Sequence, residues 1–221
     1  MKKLVLTAMM MGIIAVTPVL AHASEQTAQT EASQEKIVSC ADAVQTALED
    51  AGLEKDAVKF SKQMRTYEDG MPVYEIKFVV PGEAKYEYVI DDKTGEIKKK
   101  ESEAWEAEDD ADYAALLKEN QNFFDYEADE TQIVVMPASS KVIEECAKDR
   151  ETDLVEYQYG MEYEDGRIVY ELCAMFPTEM KFEYKFDMKT GEVISSEKEG
   201  WEAEDNAQYR DILESKGLNA Q

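Results

Sequence analysis

A repetition inside the chain constrains it above all else. Glu68 to Asp109 returns once, displaced by 96 positions, as Glu164 to Asp205, and 23 of the 42 positions are identical without a gap. The shared strings are Glu-Asp-Gly, Val-Tyr-Glu, Glu-x-Lys-x-Glu-Tyr, Asp-x-Lys-Thr-Gly-Glu and Trp-Glu-Ala-Glu-Asp. Many substitutions keep the side-chain class, as with Ile76 and Leu172, Tyr86 and Phe182, or Ile97 and Val193. One module is therefore made twice, and any fold proposed for one copy has to suit the other.

Within a copy the period is two. Tyr74, Ile76, Phe78 and Val80 point one way while Glu75 and Lys77 point the other; Tyr86, Tyr88 and Ile90 likewise oppose Lys85 and Glu87. One sheet face is thus aromatic and buried, the other charged. Asp69-Gly70 suits a tight hairpin, Pro81-Gly82 a second turn, and Thr94-Gly95 a third in which glycine takes the left-handed conformation. A strand from about Val58 and a short one after Gly95 complete a four-stranded antiparallel meander.

Helices flank each meander. Ala41, Val44, Ala47, Leu48 and Ala51 lie on one face of a helix that stops at Gly52, and Ile133 to Asp149 supplies the second copy's helix with Val142, Ile143, Cys146 and Ala147. Tyr113, Leu116 and Leu117 are spaced for a closing helix capped by Asp109 or Asp110, repeated as Tyr209, Ile212 and Leu213. The expected fold class is α+β: two tandem repeats, each a helix packed on a four-stranded antiparallel meander sheet with a short closing helix. The domains fall at 37–120 and 133–221, joined by an acidic linker at 121–132.

In its order of elements the unit resembles the PepSY domain, a small module of bacterial secreted and envelope proteins that also occurs in propeptides of thermolysin-type metallopeptidases. The residues that carry the resemblance are Val73-Tyr74-Glu75, Tyr86-Glu87-Tyr88-Val89-Ile90-Asp91 and Lys93-Thr94-Gly95-Glu96-Ile97. The second copy supplies Val169-Tyr170-Glu171, Phe182-Glu183-Tyr184-Lys185-Phe186-Asp187 and Lys189-Thr190-Gly191-Glu192-Val193. The resemblance implies binding to, and restraint of, secreted peptidases, and it transfers no catalytic residues.

The first 23 residues carry Lys2 and Lys3, an apolar run from Leu4 to Leu20, and Ala21-His22-Ala23, the small-x-small pattern of a signal peptide cleaved before Ser24. Residues 24–36 are a flexible polar segment. After cleavage 22 basic residues remain against 49 acidic, since two of the 24 Lys and Arg are lost, and the formal charge is −27. The expected product is a secreted monomer with no stable membrane insertion. His22 is the only histidine, so Ser-His, Cys-His and His-zinc chemistry are excluded from the mature chain. Nucleic acid and anionic lipid are repelled; a basic or metal-rich partner is favoured. Cys40, Cys146 and Cys173 show no C-x-x-C spacing, and the opposed positions of Cys146 and Cys173 predict unpaired thiols.

No catalytic, metal or cofactor residue is assigned. Asp91 to Glu96 looks faintly like a calcium loop, but Thr94 stands where a ligand belongs and Lys93 adds a positive charge, so a hairpin turn is expected there. Carboxylate pairs abound without a cleft to serve. The candidate partner contact is the repeated Trp-Glu-Ala-Glu-Asp: Trp105, Glu106 and Glu108, with Trp201, Glu202 and Glu204. It fits a protein-binding module whose partner is a secreted peptidase or another basic protein. The alternative is an acidic envelope-associated module that binds divalent cations.

Overall fold

The computed structural model describes residues 38–118 and 135–218; the signal segment, the polar segment and the 121–132 linker lie outside the described residues. The first helix, α1 (Cys40–Ala51), begins at a capping box in which the Ser39 hydroxyl accepts from the Asp42 amide while the Asp42 carboxylate accepts from the Ser39 amide. Gly52, left-handed at φ 67°, ends it. Its buried face is Ala43, Val44, Ala47 and Leu48, so Ala43 takes the place expected of Ala41, which is exposed. Burying Val44 and Leu48 contributes about 1.5–3 kcal/mol each.

Four strands follow: β1 (Lys59–Glu68), β2 (Met71–Val80), β3 (Ala84–Asp91) and β4 (Ile97–Ala104). After two short helices, α2 (Asp109–Asp112) and α3 (Ala114–Lys118), the second copy runs through α4 (Val135–Cys146), β5 (Val155–Glu164), β6 (Arg167–Phe176), β7 (Met180–Asp187) and β8 (Val193–Gly200). It closes with α5 (Asp205–Gln208) and α6 (Arg210–Ser215). The expected turns are present. Asp69 and Gly70 both have positive φ, 50° and 74°, the pairing a two-residue hairpin of this hand requires, and Asp165-Gly166 repeats it.

The expected sheet in each repeat is corrected in one respect. The eight strands form a single antiparallel sheet in the order β4-β3-β2-β1-β5-β6-β7-β8. Each copy is a meander, and the two meanders meet where β1 pairs with β5, Lys62 opposite Glu162 and Met64 opposite Gly160. Gly160 is the counterpart of Met64, 96 residues on, so a pseudo-two-fold axis passes between them. The contact is isologous in the sense used for dimers: the same strand edge serves both sides. A Cβ on Gly160 would overlap the Gln63 carbonyl and the Met64 backbone, so position 160 itself has to be glycine.

One sheet face carries α1 and the apolar side chains of α4, gathered with Phe60, Ile76, Phe78, Leu172, Phe182 and Phe186 into the main core. The opposite face is not simply charged, as alternation alone predicted. α5 and α6 cover part of it with Tyr209 and Leu213 over Val155 and Met175. The expected single closing helix is broken in both copies at a tyrosine, Tyr113 or Tyr209, whose φ/ψ of −97°/6° and −100°/9° leave the α region.

These broken helices reach across to the other copy. α3 lies against β1 and β6, with Leu116 in the core beside Ile168 and Ala115 next to Gly166. α6 lies against β2, where Asp211 fills the space beside Gly70. Tyr163 stacks on Tyr113 at 6.0 Å and donates its hydroxyl to the Asp112 carbonyl at 3.0 Å. Each copy therefore clasps the first hairpin of its neighbour.

Candidate partner-binding surface

Each Trp-Glu-Ala-Glu-Asp segment is an anchored platform. The Trp105 amide donates to the Glu83 carbonyl at 3.0 Å, its indole Nε1 donates to Asp110 Oδ1 at 3.1 Å, and its ring lies 5.7 Å from Tyr113. Trp201 repeats all three contacts, with Glu179, with Asn206 and with Tyr209. Trp105 and Trp201 are thus half-buried struts between sheet edge and closing helices.

The last acid of the motif does more than the sequence predicted. Asp109 accepts from the Glu106 amide at 2.7 Å through Oδ2 and from Lys85 Nζ at 3.0 Å through Oδ1. Asp205 accepts from the Glu202 amide and from Lys181 Nζ, both at 2.7 Å. Asp109 opens α2 without being its N-cap, and the cap position, Glu108, makes no side-chain capping bond. The expected capping role is therefore replaced by a tie between β3 or β7 and the closing segment.

The electrostatics follow the geometry. The Glu106 amide, followed by Lys85, holds the Asp109 carboxyl below the ordinary carboxylate range. At Asp205 burial acts upward, and the Lys181 ammonium with the Glu202 amide overcomes it, so that carboxyl is lowered too. Lys85 and Lys181 are raised in turn, first of all by their aspartates. A signal for these ties was present: Lys85 and Asp109 both recur unchanged, as Lys181 and Asp205.

The remaining acids of the motif face water. Glu106, Glu108, Glu202 and Glu204 are exposed, and among the described residues their carboxylates make no hydrogen bond or ion pair. The structure does not bring the two segments together; they follow β4 and β8, the two outermost strands of the sheet.

The calcium-like loop is a turn. Asp91 Oδ1 accepts from the Lys93 and Thr94 amides at 3.0 and 2.8 Å and from the Thr94 hydroxyl at 3.1 Å, and Asp187 repeats the pattern. That oxygen is fully used by its own turn. Gly95 and Gly191 take φ 74° and 71°, as the turn demands.

All three cysteines are unpaired. Burial pushes the Cys40 thiol up to about 12 and raises Cys173 as well, so neither is a ready thiolate near neutral pH. Cys173 is grouped with Glu171 and Glu183 on the face opposite α1, their ligand atoms within 4.8 Å of one another. Glu171 accepts from Gln158 and from the Cys173 thiol and lies 3.6 Å from Lys185 Nζ. The cluster was not legible from the repeat, because Lys77 stands at the first-copy position of Cys173 and pairs with Glu87 at 2.9 Å.

Comparison with known proteins agrees with this geometry. Residues 37–101 match the PepSY family, described as peptidase propeptide and YPEB domain. Nothing among curated proteins matches the chain. A crystal structure described as that of a candidate lipoprotein from Clostridium difficile 630 shares the fold at TM-score 0.50 and 17% identity. The likeness covers 76% of this chain and 97% of that one.

Proposed function

From the PepSY domain at residues 37–101 we propose that this chain is a non-catalytic, secreted or envelope-exposed binding module that engages an extracellular peptidase and holds it in check. The family match carries the reading, since its description ties the module to peptidase propeptides. A leader removed before Ser24 would place the protein outside the cell. No helix among the described residues is long and apolar enough to cross a membrane. The exposed Glu106, Glu108, Glu202 and Glu204 offer complementary charge to a basic partner from both outer ends of the sheet.

The test is capture from culture supernatant with the purified chain, followed by assay of any captured peptidase with and without added protein. Replacing all four glutamates by glutamine removes four charges at constant shape. Folding should survive, while affinity and its salt dependence fall. Capture of no peptidase, or of one whose activity the chain leaves unchanged, would sink the proposal. Affinity that ignores the quadruple substitution would move the contact to Glu75, Lys77, Lys85 and Glu87.

Divalent-cation binding is the second reading, and the Glu171–Cys173–Glu183 cluster is the observation in its favour. A bound ion raises the melting temperature by mass action. Unchanged melting at millimolar calcium and at micromolar zinc would remove it.

A further inference from the structure

The two repeats cover their outer faces unequally. In the second, Tyr157 on β5 lies under the closing segment, its ring 5.2 Å from Tyr209 and packed with Val155, Met175 and Leu213. The counterpart of Tyr157 in the first repeat is Ser61. The counterparts of Tyr209, Cys173, Glu183 and Met175 are Tyr113, Lys77, Glu87 and Val79, and together with Ser61 they line an open groove of about 200 Å³. A tyrosine fills in one copy the space that stays open in the other.

We propose that this groove is a docking site for an aromatic side chain, tyrosine above all, presented by a protein partner. The internal copy is the template: an aromatic ring packs there against a tyrosine of the closing segment and the strand beneath. The first copy keeps the tyrosine and sets one wall rigidly, because Lys85 is tied to both Asp109 and Glu103. At the positions of Cys173 and Glu183 the groove presents Lys77 and Glu87, a donor and an acceptor for a phenol hydroxyl. Its volume is below the roughly 300–1,000 Å³ of a drug-sized pocket and suits one side chain.

The proposal rests on the binding-module reading only for the partner's being a protein, and the groove is tested without any partner. The probe is N-acetyl-tyrosinamide, titrated into the full chain while backbone amides are followed by NMR. Saturable shifts are expected around Ser61, Lys77, Val79 and Glu87 and none around Tyr157 and Met175. Ser61→Tyr, which gives the first copy the filled arrangement of the second, should weaken binding at least tenfold. Tyr157→Ser should open a second groove and add a second set of shifts around Met175 and Glu183. Absence of saturable shifts in the first copy, or shifts that Ser61→Tyr leaves intact, overturns the proposal. If Ser61→Tyr fails to fold, Tyr157→Ser decides, and no second set of shifts is then fatal. Peptidase capture without tyrosinamide binding would sink the groove and spare the proposed function; tyrosinamide binding without capture would do the reverse.

Discussion

Under the helices the two repeats fill one position by opposite means. In the first, Arg65 donates to Asp92 Oδ2 through Nε at 3.0 Å and Nη2 at 2.6 Å, and Asp92 is only 3% exposed. In the second, the counterparts are Met161 and Met188, both buried. The ion pair leaves Asp92 Oδ1 without a partner, and on β1 the Gln63 Nε2 is likewise unpartnered where the second copy has Tyr159. The same backbone therefore accepts either solution. A buried pair is expensive to break and no more stabilising than a well-packed apolar pair, so the difference points to freedom in the fold and not to a need for charge.

Dividing the chain should have the largest effect and tests how far the comparison of copies reaches. Pieces spanning 37–120 and 133–221 each keep a helix and a meander, so each should retain a β-type circular dichroism spectrum. Each also loses the β1–β5 pairing and the neighbour's clasp, and should melt lower by about 10 °C or more. Equimolar mixing should restore the difference. A random-coil spectrum from either piece would break the reading of two modules.

Next comes the ion pair itself. Asp92→Ala strands the Arg65 guanidinium and should cost about 3–5 kcal/mol in urea unfolding. The double replacement Arg65→Met with Asp92→Met, which imports the second copy's solution, should recover that loss and reach wild-type stability or about 1–4 kcal/mol more. A double variant as unstable as the single one would show that the two pockets differ in shape as well as charge.

Smaller is the effect at the axis. Gly160→Ala forces a Cβ against the Gln63 and Met64 backbone and should cost about 1–3 kcal/mol. Exchanging the pair, Met64→Gly with Gly160→Met, should be no milder than Gly160→Met alone, because glycine at 64 keeps the backbone that the new side chain meets. An exchange that recovers the loss would mean that the Met64 side chain, not the strand backbone, decides.

The smallest effect is one of pH. Asp109 and Asp205 have folded pKa values below the ordinary aspartate value near 3.9, so their contribution is complete above it and fades as pH falls through the folded values. The stability gap between wild type and the double variant Asp109→Asn with Asp205→Asn should be full at pH 7 and close as pH falls below the ordinary aspartate value. A gap independent of pH would assign the two aspartates a role without charge.

Period two and the Asp-Gly turns made the strands legible, because those signals are local. The joining of the meanders was not. β1 reads Lys-Phe-Ser-Lys-Gln-Met-Arg-Thr-Tyr-Glu, with a register shift between Phe60 and Lys62, and no alternation in it shows that its free edge takes β5. The break in the closing helices was hidden too, since Tyr113, Leu116 and Leu117 keep helical spacing across it. At the candidate site the motif and its anchors were visible. The Ser61–Tyr157 difference was not, for it lies upstream of the stretch whose identities announced the repeat.

The Met64–Gly160 contact also limits how such a protein can grow. Solenoids add units at will because each new one meets the same kind of edge. Here the joining edge is spent on its own likeness, and the outer strands β4 and β8 are of another kind. With methionine on one side and glycine on the other, two first copies would collide at the axis, so the halves have become unlike parts of a closed pair. A third copy offering its own first strand would find the matching edge of this sheet already occupied.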